Sequence, residues 1–124
     1  MTHKILLADD EMALRFLLTE TLEDEGYQIE EAEDGKTTID LLQENEYDLI
    51  ILDYMMPEYT GIEVCEWLRK SDSKNKDKPV LLLTAKAQQS DRDRAMQAGV
   101  TSFITKPFSP LQLIEVVEQL IKSR

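Results

Sequence analysis

Two uninterrupted apolar runs, Leu49-Ile50-Ile51-Leu52 and Val80-Leu81-Leu82-Leu83, constrain the fold of this 124-residue chain more than any other feature. Each has the length of a strand and neither alternates with polar residues, so a strand built from it must be covered on both faces. That is the situation of a central strand in a parallel sheet with helices on either side. A further run, Ile5-Leu6-Leu7-Ala8, and the weaker segment from Tyr27 to Ile29 precede them. Amphipathic stretches lie between, one from Leu14 to Leu22 and one through Ile39 and Leu42. The clearest is the last, where Leu113, Val116, Val117, Leu120 and Ile121 keep to one helical face. Lys122 and Arg124 come next, where cations favour a helix C-terminus.

The punctuation between these segments agrees. Gly26 and Gly99 fall where left-handed C-caps belong, and Ser109-Pro110 supplies an N-cap followed by proline at the first helical position. Thr60 with Glu63 has capping-box spacing and Ser90 with Asp93 a near variant, which marks helix starts after the Asp53 and Thr84 strands. Residues 70–78 read as a solvated loop, and Pro79 opens the next strand, where its missing N–H does little harm. The pattern predicts strands and helices in alternation at residues 4–8, 12–25, 27–31, 35–45, 48–52, 61–70, 79–84, 89–98, 101–105 and 110–122. Right-handed crossovers turn these into one doubly wound α/β domain over residues 1–124.

Charge narrows the function. With 25 acidic against 14 basic residues and a net charge of −11, the chain repels a phosphate backbone or an anionic bilayer. No direct nucleic-acid binding and no membrane association are expected. A single cysteine, Cys65, and a single histidine, His3, exclude an internal disulfide and a Cys/His metal cluster. No run reaches the roughly 18 apolar residues of a membrane span, and no signal-peptide core comes after Met1, so a cytoplasmic location is expected.

In a doubly wound sheet, ligands collect at the carboxyl ends of the strands. Here those ends carry Asp9-Asp10-Glu11, then Asp53, Thr84-Ala85 and Lys106-Pro107. Carboxylates that converge at one edge must either take up protons or be neutralised by a cation, and a hard divalent ion such as Mg2+ suits oxygen ligands of this kind. Lys106 and the Thr84 hydroxyl would then be a charged and a neutral donor for one phosphoryl group. The plainer alternative is that a lone Asp after a strand is a cap or turn residue and that Asp10 or Glu11 only complements the dipole of the first helix. It accounts for one strand end and leaves the other three unexplained.

Jointly, Leu7-Ala8-Asp9-Asp10-Glu11, Asp53-Tyr54-Met55-Met56-Pro57 with Gly61, Leu83-Thr84-Ala85, and Ala98-Gly99 leading to Phe103-Ile104-Thr105-Lys106-Pro107-Phe108 resemble the response-regulator receiver domain of two-component signalling. The resemblance covers essentially the whole chain. It implies a flavodoxin-like (βα)5 sheet of strand order 2-1-3-4-5, a phosphoacceptor at Asp53, Asp10 as a direct Mg2+ ligand with Asp9 acting through bound water, and a further ligand from the Met55 backbone carbonyl. Thr84 and Lys106 match the family's phosphoryl-sensing hydroxyl and its lysine. Phe103 stands at the aromatic switch position, where many relatives have tyrosine, and the Lys106-Pro107 bond is implied to be cis.

The implied activity is Mg2+-dependent acceptance of a phosphoryl group from a histidine kinase or histidine phosphotransfer protein. Switching of the surface of the fourth helix, fifth strand and fifth helix would then control a protein target or relay the group onward. Such a domain is a switch that catalyses its own phosphorylation and dephosphorylation rather than an enzyme acting on other substrates. In the family, the side chains two positions after the phosphoacceptor and after the threonine flank the attacking water; here they are Met55 and Lys86. Met55 cannot orient a water and Lys86, while protonated, cannot accept its proton, so the phosphoryl group is expected to outlast that of an otherwise identical Met55→Asn, Lys86→Glu variant.

The rival readings lack their residues. A haloacid-dehalogenase-type phosphatase places a second aspartate where Met55 stands, and a pseudo-receiver would be expected to have lost Asp53, Lys106 or the acidic pair. A nucleotide-binding domain would show a P-loop or a G-x-G-x-x-G fingerprint, and neither occurs among the 4 glycines. Elsewhere, His3 is expected at the surface without a partner, and Cys65 is expected to pack beside Ile62 and Leu68. Met56 should pack below its loop, and Trp67, off the apolar stripe of its helix, should be partly exposed. The helix over 89–98 has only Ala95, Met96 and Ala98 as apolar anchors and should be the least firmly packed.

Overall fold

The computed structural model describes residues 2–85 and 88–122, which leaves the expected helix-end cation Arg124 outside the described residues. Five strands, β1 (Lys4–Ala8), β2 (Gln28–Ala32), β3 (Leu49–Asp53), β4 (Val80–Thr84) and β5 (Ser102–Thr105), alternate with α1 (Met12–Asp24), α2 (Gly35–Glu44), α3 (Gly61–Lys70), α4 (Gln89–Gln97) and α5 (Pro110–Lys122). They form one parallel sheet in the order β2-β1-β3-β4-β5. The expected topology is therefore the observed one, with element ends within one residue of expectation.

Every residue of β3 and β4 is buried, as their unbroken apolar runs require. The two-residue period of the strands sorts the core into two layers. Leu6, Ile50, Leu52 and Leu82 pack with Leu42 of α2, with Ile62, Cys65 and Leu68 of α3, and with Ala95 beside them. Ile5, Leu7, Leu49, Ile51, Leu81 and Leu83 pack on the opposite face with Leu18 and Leu22 of α1 and with Leu113, Val117 and Ile121 of α5. Cys65 is fully buried, as expected, and burial pushes its thiol up to about 11, out of reach of redox chemistry at neutral pH. Met56 is buried, and Trp67 is half-buried against the same layer.

Most of the expected caps form. Thr60 and Glu63 make the reciprocal capping box, Ser109 Oγ accepts the Gln112 N–H at 3.1 Å, and Gly26 and Gly99 take φ of +95° and +97°. Four expectations need correction. α4 is not capped by Ser90: it begins at Gln89 behind Gln88, and Asp93 accepts from the Gln89 side-chain amide at 2.9 Å, a bond within the helix. Met96 does not anchor that helix, being 55% exposed, so Ala95 and Ala98 alone hold its apolar side.

His3 is exposed but stands against Tyr27, ring centres 6.5 Å apart. The segment over 70–78 is not wholly solvated, because Asn75 is completely buried. Its Oδ1 accepts the Tyr47 N–H at 2.8 Å, and its Nδ2 donates to the carbonyls of Leu42 and Asn45 at 3.0 and 2.7 Å. A polar residue thus ties the end of α2 and the approach to β3 to the loop before β4.

Candidate functional site

The parallel register brings the carboxyl ends of β1, β3, β4 and β5 to one edge, since Ala8 pairs with Leu52, Asp53 with Leu83 and Thr84 with Thr105. The residues at and just beyond these ends are therefore neighbours although they are far apart in sequence. Carboxylate oxygens of Asp9, Asp10 and Asp53 all lie within 4.8 Å of one another. Lys106 reaches in from the end of β5 and donates from Nζ to Asp53 Oδ1 at 2.7 Å. The Lys106 N–H in turn donates to the Thr84 carbonyl at 2.7 Å, which fastens the end of β5 to that of β4, and the Lys106-Pro107 peptide is cis.

Asp9 and Asp53 are buried whereas Asp10 is exposed, and this difference sets the electrostatics. Burial pushes the Asp9 carboxyl up to about 6, and the nearby charges of Asp53 and Asp10 add to the effect. The Glu11 N–H, bonded to Asp9 Oδ1 at 2.9 Å, and the Lys106 charge oppose it. Asp53 is likewise held above the usual carboxylate range by burial and by Asp10, against the hydrogen bond and charge of Lys106. Burial works against the Lys106 ammonium, but Asp53, Asp9 and Glu11 outweigh it and the net shift is upward.

Asp9 Oδ2 is buried and has no hydrogen-bond partner, an arrangement that costs free energy unless something further binds it. Three clustered carboxylates with one orphaned oxygen are an all-oxygen donor set, the kind a hard divalent cation takes. Glu11, the N-cap of α1, makes no side-chain capping bond; the carboxylate that reaches the start of the helix is Asp9, through the Glu11 N–H.

The surrounding loops place the remaining candidates. Gly61 opens α3 directly beneath Asp53: a Cβ there would stand 2.5 Å from the Asp53 carbonyl oxygen, so the close approach demands glycine. Met55 projects outward at 61% exposure, next to the buried Met56. Thr84 is buried at the end of β4 and, with Phe103, Tyr54, Leu82, Ala95, Asp91 and Arg92, lines a narrow space under α4. Phe103 is half-buried, and the Arg92 guanidinium lies 5.1 Å from its ring centre. Lys86 lies outside the described residues.

Sequence reasoning passed over Arg15, whose Nη1 donates to the Asp9 carbonyl at 2.6 Å while Nε donates to Glu31 Oε1 at 2.8 Å. Its one signal was that it is the sole basic residue of α1. Arg92 was also passed over.

Comparison with known proteins agrees with this geometry. The family model for the response regulator receiver domain matches residues 5–118. The chain is 44% identical over 119 residues to the transcriptional regulatory protein ResD of Bacillus subtilis (strain 168), covering 96% of this chain and 48% of that one. It spans about half the length of the curated relatives it matches. Among solved structures, the receiver domain of the Francisella response regulator 1452 superimposes with a TM-score of 0.91 at 34% identity, covering 98% of both chains. The receiver domain of sensor histidine kinase PA1611 from Pseudomonas aeruginosa PAO1, described with a magnesium ion coordinated in its active-site cleft, gives 0.89 at 26% identity over 98% of this chain and 99% of that one. No helix among the described residues is long and apolar enough to cross a membrane.

Proposed function

The chain belongs to the response regulator receiver domain family, the phosphoacceptor switches of two-component signalling, and on that premise we propose that Asp53 is its phosphoacceptor. One observation carries the assignment: Asp53 is the carboxylate that both closes the acidic cluster and pairs with Lys106 at 2.7 Å. In the transfer, an Asp53 carboxylate oxygen forms a bond to phosphorus as the P–N bond to a donor phosphohistidine breaks. The imidazole nitrogen keeps the electron pair and takes a proton from solvent, leaving an acyl phosphate on the chain. Positioning and charge stabilisation, rather than acid–base chemistry, lower this barrier.

Asp9, Asp10 and Asp53 fit a Mg2+ ion, with the Met55 backbone carbonyl as a further ligand and Asp9 acting through water. When bound, the ion would neutralise charge between the carboxylates and the phosphoryl oxygens. Lys106 stays within reach of the new phosphoryl group because it already bonds Asp53, and the Thr84 hydroxyl is its neutral donor. Repositioning of Thr84 and Phe103 against that group biases two packings of the α4, β5 and α5 surface. The donor is a histidine kinase or a histidine phosphotransfer protein, the target a protein, and the setting cytoplasmic. Residues 1–124 act as one receiver unit, without direct contact to nucleic acid or membrane.

The phosphoryl group should outlast that of a variant whose side chains at positions 55 and 86 accept a hydrogen bond from the attacking water, since methionine and a protonated lysine do not. A Met55→Asn, Lys86→Glu double variant should lose its phosphoryl group faster than wild type in a decay time course in Mg2+, and equal decay would count against these positions. The function itself is tested by incubation with phosphoramidate and Mg2+ followed by intact-mass measurement. Wild type should gain one phosphoryl group, whereas Asp53→Ala, or wild type in excess EDTA, should gain none. Full-rate labelling of Asp53→Ala would overturn the assignment, and full-rate labelling of wild type in EDTA would overturn the Mg2+ dependence.

A further inference from the structure

The acidic cluster poses a mechanical problem. Three carboxylates within 4.8 Å repel one another, and two of them, Asp9 and Asp10, hang from the short turn between β1 and α1. A turn of that kind yields unless its backbone is held. The Asp9 backbone is held on both sides. Its N–H donates to the Ala32 carbonyl at 3.0 Å, which fixes it to the edge strand β2. Its carbonyl accepts from Arg15 Nη1 at 2.6 Å, and Arg15 is anchored by the bond from Nε to Glu31 Oε1 at 2.8 Å. Glu31 belongs to β2, so the guanidinium bridges the same strand to the turn from the other side.

The fork suits the task because two rigidly spaced N–H donors meet two acceptors on different elements, which a single ammonium does not reproduce. The Arg15 side chain is only 14% exposed and its bond to the Asp9 carbonyl is partly buried, whereas its anchor Glu31 stands at the surface. With both backbone groups held and Oδ1 on the Glu11 N–H, the Asp9 side chain has one free oxygen, the orphaned Oδ2.

We propose that Arg15 is a positioning residue for the cation site: anchored on Glu31, it grips the Asp9 carbonyl and so fixes the turn from which Asp9 and Asp10 present their carboxylates. The inference rests on the reading of Asp9, Asp10 and Asp53 as the Mg2+ site. The guanidinium meets the Asp9 backbone carbonyl, so the role assigned to it is to hold the turn.

The test is a Mg2+ titration of the unphosphorylated full chain, followed by amide NMR shifts, with a thermal melt in EDTA for each variant. Arg15→Gln should raise the Mg2+ Kd about ten-fold or more, the usual effect of removing a group that orients a metal ligand. Arg15→Lys keeps the charge and loses the fork, so it should recover only part of the affinity. Glu31→Ala, at an exposed position, should weaken Mg2+ binding in the same direction by less. A Kd within two-fold of wild type in Arg15→Gln, whatever its melting temperature, would show the residue to be structural only. Full recovery in Arg15→Lys would equally overturn the inference, by assigning the effect to charge. Should Arg15→Gln not fold, an unchanged Kd in Glu31→Ala decides against it. Absence of Mg2+ binding in wild type would instead remove the site reading itself, and this inference with it.

Discussion

Asp9 carries the sharpest electrostatic conflict in the molecule: a carboxylate with no exposure, one oxygen unpaired and two like charges beside it. Its folded pKa of about 6 lies above the ordinary value of 3.8. A raised pKa means that its contribution to stability is fully present below the unfolded value and is lost as pH rises through 6. In Mg2+-free buffer, Asp9→Asn should therefore be more stable than wild type at pH 7.5, by up to about 3 kcal/mol. The difference should shrink toward pH 4, as urea denaturation would record, and a difference that does not change with pH would contradict it. Asp9, Asp10, Asp53, Thr84 and Lys106 were legible in the sequence because each lies at the end of an apolar run or just past it, and a parallel sheet leaves those ends no place but one edge. Arg15 was not legible in the same way, since its two acceptors depend on how α1 lies against β2, which no periodicity encodes.

Among the elements, β3 and β4 were fully determined by their apolar runs, and α5 by its stripe. The connection before β4 was misread because hydrophilic composition over 70–78 says nothing about one buried amide. From a fully buried position Asn75 bonds three backbone groups, of Tyr47, Leu42 and Asn45. Asn75→Ala leaves the Tyr47 N–H and the Leu42 and Asn45 carbonyls without it, and should cost about 3 kcal/mol in urea unfolding, with Mg2+ affinity unchanged. A loss under about 0.5 kcal/mol, the ordinary surface effect, would show that the network is dispensable. The start of α4 was misread for a related reason: a Ser-x-x-Asp spacing is a cap only when the serine lies outside the first turn, and Ser90 lies inside it. With two alanines as its buried anchors, α4 is the helix whose packing is cheapest to change, which suits a surface that responds to a modification.

Across the molecule, the acidic site and the α4, β5 and α5 surface proposed to respond are joined through Lys106, which bonds Asp53 through its side chain and Thr84 through its backbone. If that joint transmits the signal, phosphorylated Lys106→Ala should accept label yet lose the amide NMR shifts that phosphorylation causes over residues 89–122. Retention of the wild-type shifts would assign transmission to another group. All of this depends on one bond forming at one atom, and the site of modification can be read chemically. Borohydride reduction converts an acyl-phosphorylated aspartate to homoserine, and peptide mass mapping then locates it. After phosphoramidate treatment of wild type in Mg2+, the conversion should appear at Asp53 and at no other position. Conversion at Asp9 or Asp10, or a stable phosphate on His3 or a serine with Asp53 untouched, would contradict the account.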